Sequence, residues 1–401
     1  MNAFIERVKF VKIKDFFAFL LFVVALPIGI VLRCHRPHIW LICEEKQEAR
    51  DNGYFFFKYL RENHKEVDAV YAIDKKSPDA YKVLDIGHTI SYGTLIHWIY
   101  YIAAEYNISS QKGGKPNAAI CFVLEVFGIW KNKRVFLQHG VTINNVEWLY
   151  YDVSKIDRFI CSTRPEYEFV KENFGYPKEN IILAGFSRWD DLHNYKVKKN
   201  RILIMPTWRE WLGRISSDTR KIEAGSTFID TLYYKKWNEL INSEKLAGLS
   251  SKYDLEIIFF PHRNMQKYLK SFTVKNKHVK IASWKEYDVH DLLKTSEMII
   301  TDYSSVFFDM VYMKKPVIFY QFDLREFRKH HYKSGYFDYA NNPFGKSYTE
   351  TESVLGELER IVKSEFLPSE DYIKEHRTIF PFYDANNSER IYEMMQSWSD
   401  K

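Results

Sequence analysis

Cysteine is scarce and scattered in this chain. Cys34, Cys43, Cys121 and Cys161 are the only four in 401 residues, and no two form a Cys-x-x-Cys pair. That argues against a disulfide framework or a structural zinc site and fits a reducing cytosol. Asp-x-Asp does not occur. The sequence thus offers no motif for a tightly bound metal, and a Mg²⁺ held loosely by a phosphate-bearing substrate is the one cofactor left open. Low-complexity tracts are missing, so packed cores are expected. Charge of one sign is also in short supply. The formal net charge is only +6, and no compact basic run carries interleaved aromatics. Nucleic acid is not indicated. A surface facing anionic lipid or phosphate groups fits the mild excess.

Apolar and aromatic side chains are plentiful. They make up 46% of the chain, with 30 Phe, 28 Tyr and 10 Trp. At this length two domains are expected rather than one. Aromatics in such number suit sheet cores and also membrane interfaces. Residues 16–32 form an uncharged run broken by Pro27 and Gly29. Arg7, Lys9, Lys12 and Lys14 precede it, and Arg33 and Arg36 follow. No small-residue cleavage site follows cleanly, against a signal peptide. The run is at the lower edge of spanning length, and basic residues on both sides give no orientation. A monotopic segment on the inner leaflet is the favoured reading. A spanning helix and a plain buried helix stay open. Pro27 is expected to interrupt any helix here, and residues 1–36 to stand apart from the folded domains.

From Ile39 onward, short apolar runs alternate with helical stretches. Strands are expected at 39–43, 67–72, 106–109, 134–138, 159–162 and 181–183. This alternation predicts a parallel, doubly wound sheet, which binds ligands at the carboxyl ends of its strands. His139 lies at such an end, where a neutral imidazole can accept a proton, although a lone histidine is often only a structural hydrogen-bonder. A polar linker at 193–200 separates a second unit of the same kind. Its strands are expected at 201–205, 255–260, 279–281, 298–300 and 317–320. His262 sits at another strand end. Residues 213–227 read as a mobile loop, and 349–363 and 388–398 as closing helices.

The chain is organised around residues 299–323, Ile-Ile-Thr-Asp-Tyr-Ser-Ser-Val-Phe-Phe-Asp-Met-Val-Tyr-Met-Lys-Lys-Pro-Val-Ile-Phe-Tyr-Gln-Phe-Asp. It reads as strand, polar turn, helix, strand. Ser304 and Ser305 fall where the helix begins, beside free backbone N–H groups, which is a ready anion site. An ordinary N-cap is the competing reading. Lys314-Lys315-Pro316 is expected to end the helix with cations at its carboxyl end.

This run resembles the signature of the CDP-glycerol glycerophosphotransferases, which build teichoic acids and related bacterial surface polymers. The resemblance covers roughly residues 130–390. It takes in Gln138-His139-Gly140-Val141-Thr142, Gly185-Phe-Ser-Arg188-Trp-Asp190, Pro206-Thr207-Trp208-Arg209, Pro261-His262-Arg263 and Gly335-Tyr-Phe-Asp338-Tyr339. Many teichoic acid polymerases carry Trp before the histidine and Thr-Pro after the glycine, and this chain departs at both places.

The resemblance implies a GT-B-like α/β fold of two Rossmann-like domains facing a cleft. The expected division is an amino-terminal membrane segment (1–36), an acceptor domain (37–195) and a CDP-glycerol donor domain (196–401). It implies transfer of glycerol phosphate from CDP-glycerol to a hydroxyl of a lipid-linked or polymeric glycan at the cytoplasmic face of the membrane. His139 is then the base, with Gln138, Gly140 and Thr142 beside it. Arg188 and His262 donate to phosphate oxygens. Pro206, Thr207, Ser304 and Ser305 hold the pyrophosphate, and Asp309 the glycerol or nucleotide side. The basic, aromatic stretch 325–333 is a candidate landing site for a polyanionic acceptor or lipid headgroups, or else a solvated helix face. Rival readings are a GT-B nucleotide-sugar glycosyltransferase, a CDP-ribitol-type transferase and a membrane-bound binding module without catalysis.

Overall fold

The computed structural model describes residues 12–13, 15–213, 228–331 and 333–399. Residues 214–227, in the stretch expected to be a mobile loop, lie outside them. The chain forms two compact units. The first takes the described residues up to Val141, Glu147–Asp191 and those from Asp384 onward; the second takes Thr142–Val146 and Leu192–Tyr383.

In the first unit the strands are β1 (Ile39–Cys43), β2 (Asp68–Ile73), β3 (His88–Ser91), β4 (Tyr106–Ser109), β5 (Lys133–Phe136), β7 (Arg158–Cys161) and β8 (Ile181–Leu183). They make one parallel sheet in the order β3-β2-β1-β4-β5-β7-β8. Alternate residues of β1 feed opposite faces. Trp40 and Ile42 join one core with Phe56, Phe57 and Tyr106. Ile39, Leu41 and Cys43 join the other with Trp98, Ile102 and Cys121. Burial on both faces is why β1 reads as a continuous apolar run.

The second unit repeats the plan with β9 (Arg201–Ile204), β10 (Glu256–Phe259), β11 (Val279–Ile281), β12 (Met298–Thr301), β13 (Val317–Tyr320) and β15 (Gly345–Tyr348). The order β11-β10-β9-β12-β13-β15 is that of a Rossmann sheet, parallel throughout. Its crossover direction reverses between β9 and β12. A short antiparallel pair, β6 (Asn144–Asn145) with β14 (Lys333–Ser334), also belongs to this unit. The expected α/β class with two Rossmann-like domains is therefore present.

Three expectations need correction. The amino-terminal segment does not stand apart. Helix α1 (Asp15–His35) runs unbroken through Pro27 and packs on helix α3 (Leu95–Ala103), Asn52–Asn63 being α2. Asp15, Phe22, Ala25 and Gly29 are its buried residues, a narrow stripe of one helical face. Phe22 meets Trp98 edge-on at 5.6 Å. A Cβ on Gly29 would lie 2.7 Å from Ile102 Cβ, so only glycine permits this approach. Packing on either side of Pro27, which is exposed, outweighs its helix-breaking tendency.

The last helix also moves. It spans Asn387–Ser399 and counts with the first unit, not the donor domain. Ile391 and Met395 enter the core of Trp40 and Tyr106. Asp190 accepts from the N–H groups of Asn387 and Ser388, both at 2.8 Å.

Lys315, finally, does not serve the helix it follows, Phe307–Tyr312. It is buried, and its Nζ donates to the carbonyls of Leu293 and Lys294 at 2.8 and 2.7 Å, the end of helix Val289–Thr295.

Candidate active site

His139 follows β5 by a tight turn. Gln138 takes φ +59°, a left-handed conformation that is uncommon outside glycine. Two buried groups hold it there. Asn52 Nδ2 donates to the Gln138 carbonyl at 2.7 Å, and Gln138 Nε2 donates to the Ile160 carbonyl and, at 3.0 Å, to Glu166 Oε1. The Gln138 amide is thus part of the scaffold behind the turn. Gly140 is buried. His139 is an exposed residue. Its pKa is lowered, chiefly because the surrounding protein is dense around it, with Arg188 adding to the effect. Asp51 and a hydrogen bond to the Ser110 backbone pull the other way. A ring N–H directed at the Ser110 carbonyl leaves the other nitrogen as a proton acceptor.

Arg188 is also buried. Its Nη1 donates to Asp51 Oδ1 at 3.0 Å, its N–H to Asn52 Oδ1 at 3.1 Å, and its guanidinium lies 4.8 Å from the Phe186 ring centre. Asn52 thereby joins the His139 turn to the Arg188 turn. Asp190, two residues further on, is used at the last helix. Behind this turn lies a group that sequence reasoning missed. Glu44 ends β1 fully buried and accepts from the N–H groups of Arg50, Asp51 and Tyr54 at 3.0, 3.1 and 2.7 Å. Burial and the Asp51 charge push its pKa up, against those three donors.

In the second unit the sites lie at the carboxyl ends of β9, β10 and β12, astride the reversal point. Pro206 and Thr207 follow β9, and the Pro206 carbonyl accepts from His262 N–H at 3.0 Å. His262 Nδ1 accepts from Asn264 N–H at 3.2 Å. That fixes the tautomer with the proton on Nε2, the form that donates to an anion. Thr207 N–H donates to Asp302 Oδ1 at 2.8 Å. Thr207 is 8% exposed as a residue, and its hydroxyl oxygen is buried with no hydrogen-bond partner among the described residues.

Ser304 and Ser305 are half-buried in the turn before helix Phe307–Tyr312. The helix proper starts later than expected, and Ser304 Oγ accepts from Val306 N–H at 3.3 Å, a local cap. No hydrogen bond from either serine's backbone N–H occurs among the described residues. Asp309 is fully buried, beneath the surface instead of on it. Thr142 is buried and belongs to this unit, with β6. His331, also unforeseen, faces Trp208 edge-on at 4.5 Å, while the His262 ring lies 6.2 Å from the same indole. Burial, with Arg209 and His262 nearby, pushes the His331 pKa down to about 3. Arg325, Arg328, Tyr336 and Tyr348 line a groove of about 910 Å³ beside Asp323. Among the described residues no cluster of three His, Cys, Asp or Glu side chains is placed to hold a metal.

Comparison with known proteins identifies the family and the fold. The profile of the CDP-Glycerol:Poly(glycerophosphate) glycerophosphotransferase family matches residues 25–397. The minor teichoic acid biosynthesis protein GgaB of Bacillus subtilis is 32% identical over 368 residues, 89% of this chain and 39% of that protein. A teichoic acid poly(glycerol phosphate) polymerase of Bacillus spizizenii is 26% identical over 359 residues, 83% of each. The chain thus spans about two-fifths of the length of GgaB. The wall teichoic acid polymerase TagF has the same fold, with TM-score 0.64 at 17% identity over 97% of this chain and 98% of that one. A TagF variant soaked with CDPG gives TM-score 0.65 at 16% identity, over 96% and 98%. With its profile matched from Pro27's helix to the last helix, the chain belongs to the CDP-glycerol:poly(glycerophosphate) glycerophosphotransferase family.

Proposed function

We propose that the chain transfers glycerol phosphate from CDP-glycerol to a hydroxyl of a teichoic acid or related surface glycan. The observation that carries this is the donor set at the ends of β9, β10 and β12. A buried partnerless hydroxyl, an imidazole held as an Nε2–H donor and a turn with open N–H groups suit a pyrophosphate. The acceptor oxygen attacks the β-phosphorus, the bond from that phosphorus to the CMP oxygen breaks, and CMP leaves. His139 takes the acceptor's proton. His262, Thr207, Ser304 and Ser305 stabilise charge on the pyrophosphate. Arg188 donates to a phosphate oxygen, and Asp309 acts on the glycerol or nucleotide side through the helix that contains it. A loosely held Mg²⁺ would ride on the donor's own phosphates. The groove at Arg325 and Arg328 suits a polyanionic acceptor. Incubation with CDP-glycerol, CDP-ribitol and a panel of UDP-, GDP- and CMP-sugars, followed by CMP release, tests the reading. Turnover of a UDP- or GDP-sugar in place of CDP-glycerol refutes it. Preference for CDP-ribitol would favour the second reading, which gains from a 25% likeness over 245 residues to the ribitol-phosphate polymerase TarL of Staphylococcus aureus.

The same proposal places the enzyme on the cytoplasmic face of the membrane through α1. Phe16, Phe17, Phe19, Leu20, Val23 and Val24 are among its exposed side chains. Both ends of the helix are tied to the first unit. Asn117 Nδ2 donates to Asp15 Oδ1 at 2.9 Å, and Arg36 Nε donates to Asp68 Oδ2 at 2.9 Å. A helix of this length could span about 30 Å, but ends held on one body stay on one side of a bilayer. This supports a monotopic foot against a spanning helix.

A further inference from the structure

A network of buried charges in the second unit stands beside the proposed phosphate donors. Arg209 has no exposed surface. Its Nε donates to Asp323 Oδ2 at 2.8 Å, and its Nη2 donates to Asp323 Oδ1 at 3.0 Å and to Asp302 Oδ2 at 2.8 Å. Its Nη1 donates to the Thr207 carbonyl at 2.9 Å. The other oxygen of Asp302 accepts from the N–H groups of Thr207 and Tyr303, at 2.8 and 2.7 Å. Tyr303 Oη closes the network on Asp323 Oδ1 at 3.0 Å. Two carboxylates share one guanidinium without solvent. Such burial costs more than apolar packing of similar volume, so stability alone is a poor reason for it.

What the network holds is the first turn beyond β9 and the first turn beyond β12, the two strands at the reversal point. The Thr207 N–H is taken by Asp302 and its carbonyl by Arg209, so the turn cannot rotate. Only the buried hydroxyl is left for a ligand. On the neighbouring strand the Tyr303 N–H is taken in the same way. The next two N–H groups, of Ser304 and Ser305, are then presented together.

We propose that Arg209 is the positioning residue of the donor site. Through Asp302 it fixes the Thr207 hydroxyl and the Ser304–Ser305 turn, without touching the substrate. This rests on the function proposed above.

The test is Arg209→Lys, measured with CDP-glycerol by calorimetry and with a soluble acceptor analogue by turnover. Lysine keeps the charge but has no planar fork to serve both carboxylates and the Thr207 carbonyl at once. Donor binding should weaken by about 10- to 100-fold, the value of one or two charge-assisted hydrogen bonds. The acceptor KM should not move, because the base is elsewhere. A purely structural role predicts the reverse, a lower unfolding temperature with an unchanged donor constant. Tyr303→Phe removes only the hydroxyl on Asp323 and should weaken the donor by about 2- to 5-fold. If Arg209→Lys does not fold, Tyr303→Phe and Asp302→Asn carry the test, and unchanged donor constants in both overturn the proposal. Wild-type protein that binds no CDP-glycerol overturns the functional reading and the positioning role with it. Wild-type binding matched by folded Arg209→Lys overturns the positioning role alone.

Discussion

Helix α1 has two apolar faces with different work, and substitution can separate them. Phe22 is 5% exposed and lies in one core with Trp98, Ile99 and Ile102. Phe22→Ala removes a buried ring and leaves a cavity. Such changes cost about 3–5 kcal/mol, and a surface helix that can settle inward places this one near the lower bound, about 3 kcal/mol. For a unit of this size that is a fall of roughly 6–12 °C in Tm. Phe17 and Val24 are 70% and 53% exposed. Phe17→Ser or Val24→Ser should change stability by less than about 0.5 kcal/mol. On vesicles containing anionic lipid the order inverts. Each outer-face change forfeits about 1.5–3 kcal/mol of burial in the leaflet, a loss of about tenfold or more in partitioning. Calorimetry and vesicle flotation on the same three variants give both readings. An unchanged Tm for Phe22→Ala would refute the packing argument. Outer-face variants that float like wild type would refute the membrane assignment. The packing also sets what truncation should do. Removing residues 1–36 uncovers Trp98 and Ile102, so the shortened protein should lose stability or aggregate instead of remaining a sound soluble enzyme.

His139→Ala should lower turnover by at least about 100-fold while CDP-glycerol affinity holds; more than a tenth of wild-type turnover at saturating substrate removes it as the base. The double variant Ser304→Ala, Ser305→Ala loses two hydroxyls but keeps both N–H groups. It should weaken CDP-glycerol by only about 5- to 50-fold, and an unaltered calorimetric constant places the serines outside the site. His97 is buried without a partner on Nε2, and burial pushes its pKa down to about 3. It stays neutral in the folded protein, whereas the unfolded chain takes up the proton below about pH 6.5. Its stabilising effect is therefore whole above that pH and is lost as pH falls toward 3, by about 2 kcal/mol at pH 5. His97→Gln should flatten the slope of stability against pH between 6.5 and 5, and an identical slope would show that the site admits the charge.

The parts of the site that were legible in sequence are those whose signal is local. Strands β1, β9, β12 and β13 are buried on both faces, so they appear as short apolar runs, and His139 and His262 stand out because they follow such runs. Strands β3 and β15 were not foreseen. Both lie at sheet edges, and in β3 only Ile90 is buried, so no run marks them. The return of the last helix to the first unit was equally hidden, because Asp190 and Ser388 are 198 residues apart. The Arg209 network shows where the boundary falls. Its carboxylates lie 93 and 114 residues from the guanidinium, and no spacing links them. Yet Asp302 follows directly on the apolar strand β12, and Asp323 comes three residues after β13, between Phe322 and Leu324. A carboxylate so placed needs a cation or must give up its charge. The sequence therefore states the demand at both positions, and only the packing of β9 beside β12 identifies Arg209 as the side chain that meets it.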